Sequence, residues 1–382
     1  MKVLIITHHY LSGFGGGAFA SRAFINAFSD RFNNVTLLYP AKNGECKIDI
    51  NKRIRQIPVP YNIPKWRKLF HLCTGKTHRY YNAFTKIMNE QCFDLIVFDN
   101  SCVSFGLIDI AHKHHAKVIT IHHNYEYEYK RDSSNRFLRP INLFWVKKYE
   151  QESLSKSDLN LTLTTEDKAL FMRNYHADEK KIEVLGCFEF KNKEFHYKNS
   201  SDAHSFVITG NLSAMQTENS LLPWFHSYFP LLAKKVPDFT LTLAGKHPSD
   251  RVKRICSNLG LKLIDTPPNM DDILEHARFY ICPTSLGGGI KLRVMDGLSH
   301  GLPVLTHRVS SRGYECLIDK YLFVYDDKES FCKALTKMLS LKNDYTDIIA
   351  TYRKTFSYES GFNRLCSILR KHQDSLNLKF NE

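Results

Sequence analysis

The sequence predicts two α/β domains, each built on a doubly wound parallel sheet. Short apolar, β-branched runs alternate with helical patterns along the chain, as they do in repeated βαβ units. A polar stretch without such a pattern, residues 191–204, divides the alternation into two sets. Because 382 residues also suit two domains of ordinary size, we expect a first domain over 1–190, a second over 205–355 and a helical tail over 356–382.

The first set contains seven predicted strands. They are apolar runs, typical of parallel strands covered on both faces, and lie at residues 3–7, 35–39, 54–59, 95–98, 118–121, 159–164 and 182–185. After the first strand, apolar residues at helical spacing indicate a helix, with Phe19, Ala23, Phe24, Ala27 and Phe28 on one stripe. A second helix is expected over 107–115.

The second set repeats this alternation. Strands are expected at residues 206–209, 239–244, 261–264, 279–282, 304–306 and 323–325. Helices are expected at residues 220–236, 251–259, 270–277 and 330–340, and an amphipathic tail helix at 357–376.

Composition limits the partners and the compartment. The formal net charge of +14 favours anionic partners such as nucleotides or an acidic membrane surface. The ten cysteines show no zinc-type spacing, and we interpret them as reduced thiols of a cytoplasmic protein. The amino-terminal residues carry no signal-peptide pattern, and no apolar run reaches the roughly 20 residues of a membrane helix.

Residues 282–308 carry the strongest chemical signal. A buried strand ends at Pro283, three glycines follow at 287–289, and a short helix and another strand come after them. Backbone N–H groups at such a strand-to-helix loop bind small anions, and Lys291 and Arg293 add two cations that suit a diphosphate. Asp296, one turn later, can accept hydrogen bonds from ribose hydroxyls. Alternatively, the glycines serve only the turn and the cations are solvated.

A family resemblance lies in the same stretch. Residues 296–304 read Asp-Gly-Leu-Ser-His-Gly-Leu-Pro-Val and resemble the Ala-Met-Ala-x-Gly-x-Pro-Val run of glycosyltransferase family 4, enzymes of the GT-B fold. Asp296 takes the second of the family's two acidic places, whereas the first falls on Gly288 and departs from the family. Ile290, Lys291 and Arg293 resemble a sub-branch with Gly-x-Gly-Ile-Lys-x-Lys before the acid.

The resemblance implies two Rossmann-like domains facing across a cleft. A nucleotide-diphosphate sugar would bind the second domain and an acceptor the first, with the last helix crossing back to the first domain. It assigns the donor site to Gly210, Asn211, Gly287, Gly288, Gly289, Ile290 and Asp296, and the leaving diphosphate to Lys291 and Arg293. After Gly210, this chain has Asn211 and Gln216 where the family often has Arg and Lys.

The first domain offers a glycine loop and a histidine pair. Gly15, Gly16 and Gly17 could touch the donor phosphate or the acceptor, or simply form a turn. The Gly-x-Gly-x-x-Ala pattern that begins at Gly13 is not a dinucleotide site, because it starts too long after the strand and no acid ends the second strand. The run after residue 121 resembles the family's His-Asn-x-Glu pattern, which makes His123 the first candidate catalytic histidine and His122 the second; a surface histidine is the alternative.

Residues 51–89 form a basic segment with nine Lys or Arg and no Asp or Glu. Apolar residues recur in it at helical spacing, which favours binding to an anionic membrane surface. The alternative is that these apolar residues form core and the cations are solvated. Nucleic acid is not an expected partner, because no nucleic-acid-binding motif is present.

The resemblance implies a retaining hexosyltransferase, and we expect it to act without a metal and without a cofactor. No Asp-x-Asp motif is present to hold a metal. The expected partners are a nucleotide sugar and a glycan or polyprenyl-linked acceptor, and the expected location is the cytoplasm, with peripheral binding to the inner face of the cell membrane. A GT-B sugar-nucleotide epimerase and a non-catalytic sugar- or membrane-binding module are the alternatives.

Overall fold

A computed structural model describes residues 1–13, 15–42, 48–60, 62, 64, 66, 70, 79–191, 204–342 and 345–378. The chain forms two compact units, one of Met1–Asn192 with Ser357–Glu382 and the other of Lys193–Phe356. Most of the predicted linker and much of the basic segment 51–89 lie outside the described residues.

The first unit has a parallel sheet. Its described strands are β1 (Lys2–Thr7), β2 (Asn34–Ala41), β3 (Arg55–Pro60), β4 (Leu95–Asp99), β5 (Lys117–His122), β6 (Leu159–Thr162) and β7 (Ile182–Val184). Their order is β3-β2-β1-β4-β5-β6-β7, with every neighbouring pair parallel. β4 is buried over its whole length, as expected for a strand covered on both faces.

Helices connect these strands. They are α1 (Gly16–Arg31), α2 (Tyr81–Glu90), α3 (Ser101–Ser104), α4 (Ile108–Lys113), α5 (Glu126–Ser133), α6 (Arg139–Lys156) and α7 (Thr165–Tyr175), with a 3-10 turn at Glu179–Lys181. α1 buries most of its predicted stripe: Phe19 is half-buried, whereas Phe24 and Phe28 are buried. Each such phenylalanine contributes roughly 2–3 kcal/mol of transfer free energy.

The second unit has its own parallel sheet. The strands are β8 (Ser205–Asn211), β9 (Thr240–Lys246), β10 (Lys262–Asp265), β11 (Phe279–Cys282), β12 (Val304–His307) and β13 (Leu322–Tyr325), in the order β10-β9-β8-β11-β12-β13. The helices are α8 (Met215–Ser227), α9 (Phe229–Lys235), α10 (Asp250–Asn258), α11 (Asp271–Leu274), α12 (Arg293–Ser299), α13 (Lys328–Leu339) and α14 (Tyr345–Phe356), with 3-10 turns at Arg308–Ser311 and Glu315–Leu317. The two sheets confirm the predicted fold class.

The tail helix α15 (Tyr358–Lys371) is part of the first unit. A Cβ atom on Gly361 would lie 1.9 Å from the Phe188 ring, so the helix backbone rests directly on that ring. The guanidinium of Arg364 donates from Nε to the Leu185 carbonyl at 2.8 Å, and Lys371 pairs with Glu183 at 2.6 Å. These contacts fix α15 along the far edge of the first sheet and against α1.

Three helices of the second unit differ from expectation. The helix expected over 220–236 is two helices, because Pro230 has no N–H with which to continue the ladder past Tyr228. The helix expected over 270–277 is the single turn Asp271–Leu274. α14, which the sequence interpretation missed, buries Ile348, Tyr352 and Phe356 on one face. Within the described residues, no helix has the length and apolar character needed to span a membrane.

Candidate functional site

Each sheet has one point where its strand order reverses. In the first unit this switch point lies between β1 and β4, and in the second between β8 and β11. Open parallel sheets bind ligands outside the carboxyl ends of the strands at such a point, where the connections diverge to opposite faces. Most of the predicted site residues lie at these two places, which we describe separately.

The glycine loop of the second unit joins β11 to α12. Gly287 and Gly289 have φ values of +82° and +69°, which only glycine adopts without strain. The ammonium group of Lys291 folds back over this loop and donates to the carbonyl oxygens of Gly287 at 2.8 Å and Gly288 at 2.7 Å. A cation is therefore held directly against the backbone of the loop.

Arg293 joins three parts of the second unit. Its guanidinium donates to the hydroxyl of Thr284, after β11, at 3.1 Å and to that of Thr217, in α8, at 3.1 Å. It also lies over Gly210, where an added Cβ atom would come within 2.8 Å of the Arg293 Cζ atom. Gly210 has a φ of +144°, so both its conformation and the space beside it require glycine. The structure thus brings Gly210 and Arg293 together.

Gln216 provides a hydrogen-bond donor at this site. In the sequence it is noted only as a position where the family often has a cation. Its Nε2 atom is shielded from solvent and meets no hydrogen-bond partner among the described residues. The amide lies against Gly287, since a Cβ atom there would be 2.7 Å from Nε2. A buried amide N–H without an acceptor is costly, and an oxygen-rich ligand at the loop would satisfy it.

The remaining predicted donor residues have different environments. Asn211 is exposed, and its side-chain oxygen accepts hydrogen bonds from the backbone and the hydroxyl of Ser213. Ile290 is half-buried in the loop, whereas Asp296 is exposed in the first turn of α12. Burial raises the pKa of Tyr280, in the neighbouring strand β11, well above its ordinary value, and the negative charge of Asp296 adds to this effect.

The switch point of the first unit is built around a buried carboxylate. Asp99, the last residue of β4, accepts hydrogen bonds from the Thr7 hydroxyl at 2.6 Å, from the Ser21 hydroxyl and from Nε2 of His123 at 2.5 Å. Burial alone would raise the pKa of Asp99, but the interaction with His123 and the further hydrogen-bond donors hold it below its ordinary value. An ionised carboxylate only accepts, so Nε2 of His123 carries the proton.

Asp99, Thr7 and Ser21 are the site residues that sequence analysis missed. The signal for Asp99 was present, because it is the acid that directly follows the predicted strand 95–98. Its meaning depends on strand order, since only the pairing of β1 with β4 places Thr7 opposite Asp99. A single sequence does not show that order.

The glycine loop of the first unit has a steric role. A Cβ atom on Gly17 would come within 2.2 Å of the His9 ring, so only glycine at this position leaves room for the ring. The His9 ring packs 4.7 Å from that of His123, and its Nε2 atom has no hydrogen-bond partner among the described residues. Burial lowers the pKa of His9 well below its ordinary value, which keeps the ring neutral. Gly15 and Gly16 are exposed at the start of α1.

His122 is not part of this cluster. Successive residues of a strand point to opposite faces, and His122 packs its ring against Phe171 and bonds through Nε2 to the Asn160 side chain at 2.9 Å. Burial lowers the pKa of His122 to about 4. The structure therefore brings the first histidine candidate, His123, to the switch point and leaves the second in the core.

Together, the described residues suit an anion-binding site in the second unit and a histidine site in the first. The second-unit site offers two cations, a neutral amide donor and loop backbone, the groups that bind phosphate oxygens. Among the described residues, no group of three His, Cys, Asp or Glu side chains is arranged to hold a metal ion.

Two family models match the chain, one in each unit. The model described as Glycosyltransferase Family 4 matches residues 14–188, and the model described as Glycosyl transferases group 1 matches residues 203–341. The second match includes the glycine loop, and the first includes Asp99 and His123.

One curated relative is an uncharacterised 44.6 kDa protein from the cps region of Klebsiella pneumoniae. It is 23% identical over 237 residues, which are 57% of this chain and 58% of the relative. The matched part thus spans little more than half of that protein.

Solved structures resemble the whole chain. A sucrose-phosphate synthase from Thermosynechococcus elongatus has a TM-score of 0.71 at 13% identity, covering 97% of this chain and 99% of its own. HepE of Anabaena, solved in complex with UDP, has a TM-score of 0.64 at 11% identity, covering 97% and 100%. The chain therefore has the GT-B fold and carries a Glycosyltransferase Family 4 domain followed by a group 1 glycosyl transferase domain.

Proposed function

We propose that this protein transfers a sugar from a nucleotide-diphosphate sugar to a glycan or lipid-linked acceptor. One observation carries the proposal: Lys291 and Gln216 lie against the Gly287–Gly289 loop, and Arg293 lies beside Gly210 at the same switch point of the second sheet. A bound diphosphate is stabilised by cations and by hydrogen-bond donors at close range, and the glycine loop of the second unit has both nearby. HepE, which shares the fold, was solved with UDP, so a uridine nucleotide is the first donor to test.

In the proposed reaction, the protein promotes sugar transfer by stabilising the leaving diphosphate. When the bond between the anomeric carbon and the diphosphate oxygen breaks, negative charge grows on the diphosphate, and Lys291 and Arg293 would stabilise that charge. Two cations and the loop amides take the role that a metal ion has in other transferases, so we propose metal-independent transfer. We further propose that a hexose is transferred with retention of configuration: the acceptor hydroxyl attacks the anomeric carbon from the face that the diphosphate leaves, and its proton passes to the departing diphosphate oxygen.

His123 is the proposed contact of the first unit with substrate. Asp99 fixes its protonated Nε2, which leaves Nδ1 as the nitrogen able to accept a hydrogen bond from a sugar or acceptor hydroxyl. In this role His123 orients a hydroxyl, and Asp99 acts through it.

The proposed acceptor class is inferred from the Klebsiella relative and from the positive charge of residues 51–89. The matched Klebsiella protein is encoded in a cps region, and a polysaccharide-assembly role with a polyprenyl-linked acceptor is our proposal for this chain. Such an acceptor calls for a protein at the inner face of the membrane, and the basic segment 51–89 is a proposed contact. Trp66 and Phe70, two described residues of that segment, are 65% and 50% exposed.

Turnover of nucleotide sugars tests the proposal. Purified protein should hydrolyse or transfer one of a panel of labelled nucleotide sugars, without loss of rate in EDTA, and NMR of the product should show the donor's anomeric configuration. Lys291→Ala should abolish turnover, whereas Lys333→Ala, which removes an exposed lysine paired with Glu329, should not.

Other outcomes would overturn the proposal in distinct ways. Conversion of a donor into its epimer without acceptor would identify an epimerase. Donor binding without turnover of any panel member would identify a non-catalytic sugar-binding module, which the glycine at position 288 favours.

A further inference from the structure

Apolar side chains line the start of α6 and the turn before it. Phe137, Leu138, Ile141 and Phe144 are 87%, 47%, 42% and 55% exposed. Ile141 and Phe144, three residues apart, lie on one side of α6, and Phe137 and Leu138 lie in the turn that leads into it; we call these four residues the α6 stripe. Single exposed apolar residues are ordinary, but a contiguous row of large ones marks a contact surface.

The α6 stripe does not hold the helix in place. The opposite side of α6 does so: Val146 and Leu154 are buried, and the Tyr149 ring packs 4.8 Å from that of Phe105. The second half of α6 is therefore packed against the first unit, and the stripe lies on the half that precedes it.

Cations flank the α6 stripe on the same stretch of chain. Arg136, Arg139, Lys147 and Lys148 are exposed, and no Asp or Glu occurs between Ser133 and Tyr149. The ammonium group of Lys148 lies 5.9 Å from the centre of the Phe144 ring, so one of these cations is directly beside the stripe.

The acids of the neighbouring helix do not cancel this charge. In α5, Glu128 and Asp132 lie 3.5 Å and 2.8 Å from the guanidinium of Arg131 and share its charge. Residues 126–148 contain six Lys or Arg against three Asp or Glu, so the surface keeps a positive balance.

We propose that the α6 stripe docks on an anionic lipid surface. Phenylalanine, leucine and isoleucine side chains would enter the boundary between headgroups and acyl chains, while the flanking cations stay at the lipid phosphates. A purely apolar protein groove would explain the stripe but not its cations. This inference rests on the proposed function in one respect, the lipid-linked acceptor that a docked enzyme would reach, and it is separate from the basic segment 51–89.

Vesicle flotation tests the α6 stripe without any sugar transfer. Full-length protein is mixed at low salt with vesicles of phosphatidylglycerol and phosphatidylcholine, or of phosphatidylcholine alone. Wild-type protein should float with the anionic vesicles and lose binding as salt rises. Phe137→Ser/Phe144→Ser should lower partitioning at least tenfold, and Arg136→Gln/Arg139→Gln should lower it severalfold and flatten its salt dependence.

Controls separate docking from misfolding and from self-association. Leu259→Ser changes an exposed apolar residue of the second unit and should float like wild type. Circular dichroism should show that the stripe variants are folded. Equal flotation of the Phe137→Ser/Phe144→Ser variant, or equal binding to neutral vesicles, would overturn the proposal. The proposal would also be overturned if the wild-type protein formed a dimer that did not bind vesicles and that the Phe137→Ser/Phe144→Ser substitutions dissociated. Flotation without sugar transfer would leave the α6 stripe standing and remove the proposed function.

Discussion

The two switch points hold their functional side chains in different ways. In the first unit, Asp99 is fully buried and fixes His123 through a hydrogen bond to a carboxylate. In the second, Lys291 bonds to carbonyls of its own loop and Arg293 to two threonine hydroxyls. The first arrangement is a charge-assisted network that costs much to break, whereas the second consists of neutral acceptors that a phosphate can replace.

This difference fits two different tasks. A group that orients a hydroxyl must keep one tautomer and one position through the reaction, and a buried carboxylate enforces both. Groups that bind a diphosphate must also release the product. Neutral carbonyl and hydroxyl oxygens suit this task, because they can accept hydrogen bonds from the cations again once the product has left. We therefore expect substitutions at Asp99 to act mainly on stability and turnover, and substitutions around Arg293 to act mainly on nucleotide affinity.

Asp99→Asn should have the largest effect on folding. The asparagine amide would point an N–H at one of the groups that donate to the carboxylate, and leaving buried hydrogen-bond donors without their charged acceptor costs about 3 kcal/mol. Urea unfolding should show this loss, while UDP affinity stays at the wild-type value. Asp109→Asn breaks only the exposed pair with Lys156 and should cost less than about 1 kcal/mol.

The buried His122 should make the protein sensitive to acid. Its folded pKa of about 4 lies below the unfolded value of 6.5, so stability is complete above pH 6.5 and falls as the pH drops towards 4. The full loss is about 3 kcal/mol, at about 1.4 kcal/mol per pKa unit. In urea unfolding across this range, His122→Gln should reduce the slope without abolishing it, because burial also lowers the pKa of His8 to about 4. An unchanged slope would contradict the assignment.

Gly210→Ala tests how closely Arg293 approaches the backbone. The methyl group would come within 2.8 Å of the guanidinium and displace it, so UDP affinity should fall about tenfold, or about 1.4 kcal/mol. Gly260→Ala is the matched control, since Gly260 also has a positive φ but no atom within 4 Å of an added Cβ. Both variants carry backbone strain, and calorimetry should show weaker UDP binding only in the first.

Gln216→Ala should give the smallest effect. Losing one neutral hydrogen bond to a ligand oxygen costs about 1 kcal/mol, which corresponds to about fivefold weaker UDP binding. The folded protein should become no less stable, because Nε2 has no hydrogen-bond partner to lose among the described residues. Asn219→Ala, an exposed change in the same helix, should bind UDP like wild type.

Much of the fold was predictable because it depends on local patterns. β-branched apolar runs indicated the strands, and β4, predicted over residues 95–98, is indeed a strand that is buried throughout. The strand, glycine loop, helix and strand around residues 282–308 were also visible, because glycine and proline mark their ends. α14 could have been found as well, since Ile348, Tyr352 and Phe356 recur at helical spacing.

What could not be predicted depends on contacts between distant residues. Thr7 and Asp99 are 92 positions apart and meet only because β1 pairs with β4. Thr217 meets Arg293 across 76 positions because α8 starts where β8 ends at the switch point. In the sequence, Gln216 stands where the family often has a cation, and only the structure shows that its amide lies against Gly287.

Calorimetric binding of UDP to Lys291→Ala tests the central claim, that a cationic glycine loop in the second unit binds the donor diphosphate. Charged hydrogen bonds contribute roughly 1.5–3 kcal/mol each, so UDP should bind the variant roughly 10- to 100-fold more weakly than wild type. Lys333→Ala should bind like wild type. If Lys291→Ala binds UDP as tightly as the wild-type protein, the diphosphate is held elsewhere and the account is wrong.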